Sequence, residues 1–316
     1  MSQIEINPDL LSTSTNKTIL ITGAARGIGA ATASLFNAHG ANVVIADLEP
    51  LRADAENLIA EFTHPERGVF IPVNIVDWAQ LTACFKSAIA RFGGIDIVVA
   101  NAGIMESKPV LDVSAVDANG DLCESVDAQR VIDVNLKGTL NSKLYPEHLV
   151  LDLLGCIHAF QFQSVSYAPS TNPNINPNNP KALRLALFHL QTPTPTPSTP
   201  TKSILLVIST SGYFGGTGVS AYCASKHGVL GLLRSSQTAA RNLGVRVNAI
   251  APFFTPTNIT AGFARQWSEH GLEENSPARV AEAIAHVSLD EGRRGDCVLV
   301  CFLFSFSPSG NSSLLG

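Results

Sequence analysis

The chain of 316 residues lacks the features that mark several large classes of protein. It has no block of five or more like charges, and its net charge of −5 provides no basic surface for nucleic acid or an anionic membrane. The apolar run at 297–306 is half the length of about 20 residues that a membrane-spanning helix needs. We therefore expect small-molecule chemistry, with no nucleic-acid partner and no membrane partner.

Paired cysteines and a secretory leader are also missing. The six cysteines show neither Cys-x-x-Cys pairs nor metal-ligand spacing, which is typical of reduced structural thiols, so no metal site is predicted. Residues 1–8 lack a basic region followed by an apolar stretch, which argues against secretion. We therefore expect a cytoplasmic protein. Apolar residues make up 45% of the chain, which is enough for a buried hydrophobic core.

Short apolar, β-branched runs alternate with helix-forming stretches through most of the chain. We predict strands at 18–22, 42–46, 69–73, 95–100, 203–208, 245–250 and 297–300, and helices at 27–38, 50–62, 78–92, 127–140 and 221–243. This alternation predicts an α/β fold, a doubly wound parallel sheet (Rossmann fold) with an α/β/α three-layer arrangement, as one domain over 17–300. Ligands should bind at the carboxyl ends of the strands.

Two segments interrupt this pattern. Residues 142–182 contain an Asn- and Pro-rich run and residues 192–201 alternate Thr with Pro, compositions that cannot sustain a helix or a central strand. Without 142–182, residues 138–141 would join 183–190 in one helix with an apolar side. We predict an irregular insertion within a helix, either a retained intervening sequence or a surface loop. Residues 301–316 form an atypical tail.

A glycine-rich turn, Thr22-Gly23-Ala24-Ala25-Arg26-Gly27-Ile28-Gly29, follows the first predicted strand and opens the first helix. Glycines there let a pyrophosphate approach the free N–H groups of the helix N-terminus. Asp47 ends the second strand, where a carboxylate can accept hydrogen bonds from ribose hydroxyls and repel a 2′-phosphate. The pattern favours NAD over NADP, although Arg26 could attract a phosphate and Asp47 could serve as a cap.

The run Tyr222-Cys223-Ala224-Ser225-Lys226 places two polar side chains four residues apart on one helix face. A free tyrosine has a pKa of about 10, and a neighbouring ammonium group favours the phenolate. A phenol tuned in this way can exchange a proton with an alcohol or a carbonyl group. With Ser209 upstream, the pair predicts hydride-transfer chemistry.

These motifs together resemble the short-chain dehydrogenase/reductase family over residues 17–300. The family's Thr-Gly-x-x-x-Gly-x-Gly pattern is complete at 22–29, and its Asn-Ala-Gly motif is present at 101–103. A softer likeness is to the NAD-dependent alcohol dehydrogenases related to 15-hydroxyprostaglandin dehydrogenase. The resemblance implies an oxidoreductase that transfers a hydride between a secondary alcohol or ketone and a nicotinamide cofactor, and a homodimer or homotetramer if the helix carrying Asn135 is intact.

The resemblance also assigns roles to individual residues. Tyr222 would be the general acid/base, and Lys226 would lower its pKa and bind the nicotinamide ribose. Ser209, with Ser211 as a competing candidate, would hold the substrate oxygen, and Asn135 would anchor a water. The implied cofactor-binding residues are Thr22, Gly23, Arg26, Gly27, Ile28, Gly29, Asp47, Asn74, Ile75, Asn101, Ala102, Gly103, Tyr222, Lys226, Pro252 and Thr257, and the implied substrate-binding residues are Ser209, Tyr222, Phe253 and Phe254.

Phe253 departs from the family pattern, because it stands where the family has a glycine. Together with Phe254, Phe263 and Trp267 it predicts either an apolar wall of the substrate pocket or part of the core. The expected substrate is an apolar alcohol of the fatty, steroidal, terpenoid or polyketide type. Two other functions stay open, namely a nucleotide-binding protein without turnover and an interaction module built on residues 192–201.

Overall fold

The structure, a computed structural model, describes residues 6–139, 182–191, 202–215, 218–271 and 273–301. Its strands are β1 (Thr18–Thr22), β2 (Asn42–Asp47), β3 (Gly68–Pro72), β4 (Ile97–Ala100), β5 (Lys202–Val207), β6 (Val245–Pro252) and β7 (Cys297–Val300). They form one parallel sheet in the order β3-β2-β1-β4-β5-β6-β7. The strand order reverses between β1 and β4, and this reversal opens a crevice at the carboxyl ends of the strands.

Helices cover both faces of the sheet. They are α1 (Asp9–Ser12), α2 (Gly27–Ala38), α3 (Arg52–Ala60), α4 (Trp78–Phe92), α5 (Val126–Ile132), α6 (Ala182–Leu190), α7 (Ser220–Ser235), α8 (Gln237–Asn242), α9 (Ala261–Glu269) and α10 (Pro277–Leu289). Helix α5 continues into a π-helical turn at Asp133–Lys137, and a short 3₁₀ turn spans Thr210–Gly212. The described residues thus confirm the predicted three-layer Rossmann fold.

The core follows the two-residue period of the strands, whose side chains point alternately to opposite faces. In β1, Ile19 and Ile21 pack with α2 and α10, whereas Leu20 packs on the other face with α4, α6 and α7. All three side chains are fully buried. A sheet buried on both faces explains why its strands read as continuous apolar runs.

The long helix predicted over 221–243 divides into α7 and α8 at Ser236. The hydroxyls of Ser235 and Ser236 donate to the carbonyls of Leu232 and Leu233, and the Gln237 amide also donates to Leu233 O. Side chains that take backbone carbonyls in this way bend or end a helix. The sequence prediction missed this division because it relied on the apolar pattern alone.

The predicted insertion at 142–182 lies outside the described residues apart from Ala182, as do residues 192–201 and the tail beyond Cys301. The chain on either side of the insertion does meet, because Leu183 N donates to Thr139 O at 3.1 Å. If 142–182 is left out, Leu183 follows Asn141, and this bond then spans three residues, the pattern of a 3₁₀ turn such as those found at the ends of α-helices. The contact is consistent with an interrupted helix, and the origin of the segment stays a prediction.

In the described part of the chain, Cys84, Cys123, Cys297 and Cys301 form no disulfide bond. No helix among the described residues is both long enough and apolar enough to cross a membrane.

Candidate active site

A cleft of about 700 Å³ opens at the carboxyl ends of β1, β2 and β4. The predicted cofactor residues that line it are Gly23, Arg26, Gly27, Ile28, Asp47, Asn74, Ile75, Asn101, Ala102, Gly103 and Thr257. Sequence reasoning missed the wall supplied by α5, where Val126, Gln129 and Arg130 face the cleft. No motif marks these three residues, and only the packing of α5 brings them to the site.

The glycine loop fits a dinucleotide for steric reasons. Gly23 has φ +66°, and a Cβ there would lie 2.7 Å from Ala102 Cα, so only glycine is accommodated without strain. Gly27 also has a positive φ, of +58°. The N-cap residue of α2, Arg26, makes no side-chain capping bond, and Gly27 and Ile28 of the first turn line the cleft. The first turn of a helix has free N–H groups that favour a phosphate.

Residues behind the lining brace this loop. Thr22 Oγ1 accepts from the backbone N–H groups of Asn101 and Ala102, both at 3.1 Å. The Asn101 amide donates to the carbonyls of Thr22 and Gly23. Gly29 is required because a Cβ there would come within 2.3 Å of Gly23 O. Thr22 and Gly29 therefore shape the loop from behind rather than line the cleft.

The two charged residues that bear on cofactor choice have defined partners. Asp47 accepts from Ala25 N at 3.0 Å and from Leu48 N at 2.8 Å, so its carboxylate also ties the end of β2 to the glycine loop. Arg26 Nε donates to Asp54 Oδ2 at 2.7 Å. The guanidinium that the sequence left as a candidate phosphate ligand is therefore paired with a carboxylate.

Tyr222, Lys226 and Ser209 are brought together by α7 and the turn after β5. Lys226 Nζ lies 5.4 Å from the centroid of the Tyr222 ring and donates to Val207 O at 3.0 Å. Ser209 Oγ accepts from Ser211 N at 3.1 Å, and the Ser209 hydroxyl is near enough to Tyr222 to lower the pKa of that phenol. Of the two serines considered from the sequence, these contacts favour Ser209.

Glycines connect this trio to the cleft. A Cβ on Gly103 would lie 3.5 Å from Lys226 Nζ and 3.2 Å from Asn135 Oδ1. A Cβ on Gly212 would lie 2.7 Å from the Ile208 side chain and 3.0 Å from Lys226 O. Both glycines allow close approach to Lys226, and Gly103 also lines the cleft, so Lys226 lies next to the cleft wall at Gly103, whereas Tyr222, Lys226 and Ser209 are not themselves among the lining residues.

Burial dominates the electrostatics of the trio. It raises the pKa of Tyr222 to about 12 and lowers the pKa of Lys226 to about 8. The nearby Ser209 hydroxyl opposes the rise in the pKa of Tyr222, while the Glu106 carboxylate adds to it. The sequence argument expected Lys226 to lower the pKa of the phenol. It left out desolvation, and the ammonium lies over the face of the ring.

Asn135 lies in the π-helical turn and is 1% exposed. Its Oδ1 accepts from Ile104 N at 2.8 Å, and its Nδ2 donates to Ile104 O at 2.8 Å and to Ser225 Oγ at 3.0 Å. Ser225 Oγ in turn donates to Tyr222 O at 2.7 Å. Asn135 thus joins the loop after β4 to α7, and its predicted role of anchoring a water stays a prediction.

The aromatic residues after β6 form a cluster. Phe254 stacks on Trp267 with ring centroids 4.3 Å apart, and Phe253 meets the same indole edge-on at 5.5 Å. Phe253 and Phe263 are 38% and 39% exposed, which argues against the core alternative for these two. Phe253, Phe254 and Pro252 are not among the residues that line the cleft.

Sequence reasoning missed Glu106, which is only 7% exposed. Its carboxylate accepts from the backbone N–H groups of Ala221 and Tyr222, both at 2.9 Å. The only signal in the sequence is indirect, because Val219, before α7, is a poor N-cap residue. Among the described residues no three His, Cys, Asp or Glu side chains lie close enough together to hold a metal ion.

Comparison with known proteins identifies the family. The profile described as short chain dehydrogenase matches residues 17–145 and 195–267. Short-chain dehydrogenase/reductase ascJ from Acremonium egyptiacum is 30% identical over 300 residues, which cover 94% of this chain and 82% of that protein. Trans-4-hydroxycyclohexanecarboxylate dehydrogenase from Sinomonas cyclohexanicum is 29% identical over 281 residues, covering 87% of this chain and 86% of that protein.

A solved structure has the same fold. The crystal structure of 3-ketoacyl-(acyl-carrier-protein) reductase from Brucella melitensis, complexed with NADH, has a TM-score of 0.62 and 23% identity, and the match covers 90% of this chain and 97% of that chain. The chain therefore belongs to the short-chain dehydrogenase family and is an oxidoreductase that acts on an alcohol or ketone with a nicotinamide cofactor.

Proposed function

We propose that the chain interconverts a secondary alcohol and its ketone with Tyr222 as the general acid/base. The observation that carries this proposal is the convergence of Tyr222, Lys226 and Ser209, with Lys226 Nζ next to Gly103, which lines the cleft. The nicotinamide cofactor, when bound, accepts or supplies the hydride. The protein's own residues then have to hold the substrate oxygen and move its proton.

The protonation states of Tyr222 and Lys226 at neutral pH fit these roles. With a pKa of about 12, the Tyr222 phenol is protonated at neutral pH and ready to donate to a ketone oxygen. Lys226, with a pKa of about 8, is mostly charged at pH 7, and its ammonium stabilises negative charge that develops on the phenol. Ser209 supplies a second hydroxyl to the substrate oxygen. Alcohol oxidation needs the phenolate, so its rate should rise with pH.

Tyr222→Phe tests the assignment because it removes only the phenolic oxygen. We expect turnover to fall at least about 100-fold, while NADH binding, followed by nicotinamide fluorescence, is retained. Ser209→Ala should also lower turnover, and Ser211→Ala is its matched control. Turnover that survives Tyr222→Phe would exclude the proposed role. Cofactor binding by the wild type without turnover of any alcohol or ketone would favour the nucleotide-binding alternative.

We further propose that the cofactor is NAD rather than NADP. Asp47 lines the cleft at the end of β2, and the Arg26 guanidinium is paired with Asp54. The pair is exposed, and such pairs contribute at most about 1 kcal/mol. Asp54→Asn should therefore raise the affinity for NADPH relative to NADH by no more than about fivefold. Asp9→Asn, an exposed change away from the cleft, is the control, and an unchanged ratio for Asp54→Asn would refute the role of the pair.

The proposed substrate is an apolar secondary alcohol, as in the alcohol dehydrogenases related to 15-hydroxyprostaglandin dehydrogenase. The exposed aromatic rings of Phe253 and Phe263 support this class. The relative from Sinomonas is named for a ring alcohol that also carries a carboxylate. A panel of fatty, steroidal, terpenoid and polyketide alcohols, with polyols for comparison, tests the proposal. Faster turnover of the polyols would refute it.

The remaining proposals concern the assembly and the chain itself. We propose a cytoplasmic homodimer or homotetramer, which light scattering of the purified protein and its localisation in cells can test. The insertion at 142–182 is best tested by sequencing the transcript across its boundaries. A transcript without this segment would support a retained intervening sequence.

A further inference from the structure

Helix α7, which carries Tyr222 and Lys226, begins without a local cap. Val219 occupies the N-cap position and makes no side-chain capping bond. The helix start is also buried, since Val219 is 8% exposed and Ala221 is 6% exposed. The first N–H groups of a helix have no partner within it, so a buried start needs an acceptor from elsewhere in the protein.

Glu106 supplies that acceptor from the loop after β4. Its Oε1 accepts from Ala221 N and its Oε2 accepts from Tyr222 N, each at 2.9 Å. One carboxylate thus satisfies two N–H donors of the first turn, and its negative charge lies at the positive end of the helix dipole. One of these two donors is the backbone N–H of Tyr222 itself.

The loop that carries Glu106 is held independently. Asn135 hydrogen bonds to both the N–H and the carbonyl group of Ile104, and also to Ser225, which donates to Tyr222 O. The backbone of Tyr222 is therefore fixed at its N–H by Glu106 and at its carbonyl by the branch through Asn135 and Ser225. Both branches start within the same three residues of the loop, next to Gly103 of the cleft.

We propose that Glu106 is a positioning residue that holds the first turn of α7, and with it the Tyr222 phenol, in register with the cleft. The inference rests on the proposed function of Tyr222 as general acid/base. Glu106 acts through the backbone of the helix.

An electrostatic consequence separates this role from a purely structural one. The Glu106 carboxylate contributes to the raised pKa of Tyr222, because a nearby negative charge disfavours the phenolate. A variant without that charge should therefore show a lower pKa for Tyr222. A residue that supported the fold alone would leave the titration of the phenol unchanged.

The test compares Glu106→Gln, which removes the charge at nearly constant shape, with Glu106→Asp, which keeps the charge but shortens its reach. Glu282→Gln, an exposed change on α10, is the control. We expect Glu106→Gln to lower kcat for ketone reduction at least about tenfold with the KM for NADH unchanged, and to shift the pH profile of alcohol oxidation to lower pH. Glu106→Asp should lower kcat but leave the pH profile near that of the wild type.

A second readout does not depend on turnover. The chain has four tyrosines, so the difference between the ultraviolet pH titrations of the wild type and Tyr222→Phe isolates the titration of Tyr222. This titration should move to lower pH in Glu106→Gln. If Glu106→Gln folds like the wild type, as judged by near-ultraviolet circular dichroism, and neither kcat nor the titration changes, the inference is overturned. If the titration shifts in Glu106→Gln but the wild type turns over no alcohol or ketone, the contact is supported and the proposed function is refuted.

Discussion

Replacing Lys226 by methionine should stabilise the protein at neutral pH while abolishing its activity. Lys226 is 4% exposed, and burial lowers its pKa from 10.5 to about 8. Each unit of this shift corresponds to about 1.4 kcal/mol, so holding the charged lysine in the fold costs about 3 kcal/mol at pH 7. The lost hydrogen bond to Val207 O offsets about 1 kcal/mol. The expected net gain is about 2 kcal/mol.

The gain should depend on pH in a defined direction. Because the folded pKa of Lys226 lies below the unfolded value, its contribution to stability is most favourable above about pH 10.5 and is lost as the pH falls through about 8. The advantage of methionine is therefore greatest at pH 7. It should shrink by about 2 kcal/mol when the pH is raised to 9.5.

Urea unfolding followed by circular dichroism at pH 7 and pH 9.5 measures this difference. Lys86→Met is the matched control, because Lys86 is exposed on α4 and the change should stay within about 0.5 kcal/mol at both pH values. A Lys226→Met protein that is less stable than the wild type at pH 7 would refute the reasoning. An advantage that is equal at both pH values would refute it as well, since it would show that the buried charge is not the cause.

Three further predictions concern the support of the site and the fold. Gly23→Ala should lower the free energy of unfolding by about 2 to 3 kcal/mol and abolish cofactor binding, because φ at this position is +66° and the new Cβ would lie 2.7 Å from backbone. The control Gly94→Ala has open space around its new Cβ and should leave stability unchanged. Equal stability of the two variants would contradict this prediction. Arg246→Ala should lower the free energy of unfolding, measured in urea, by at least about 3 kcal/mol, because the buried guanidinium donates to two carbonyls at the end of α10. A decrease below about 1 kcal/mol would exclude a structural role for Arg246. Burial lowers the pKa of His286, so the wild type should lose stability as the pH falls below about 6.5, and His286→Gln should flatten that decline; an unchanged pH dependence would refute the assignment.

Local patterns in the sequence predicted the fold and the position of the cleft. The apolar runs of the strands, the glycines at 23, 27 and 29, and the four-residue spacing of Tyr222 and Lys226 are short-range features, and each depends on backbone geometry that neighbouring residues define. None of these patterns extends across residues 142–182, so the interpretation of each pattern does not depend on that segment.

The electrostatics and bracing of the site depended on the tertiary structure. Glu106 caps a helix that begins more than 110 residues further along the chain, and no periodicity connects two such positions. The pKa directions of Tyr222 and Lys226 follow from how deeply α7 is buried, which residue identity does not specify. Phe253 and Phe254 pack on Trp267 and do not line the cleft. Only the packing of the tertiary structure could decide between these two positions. The sequence thus determined the fold and predicted which residues carry the chemistry, whereas long-range contacts and burial decided how those residues are held and charged.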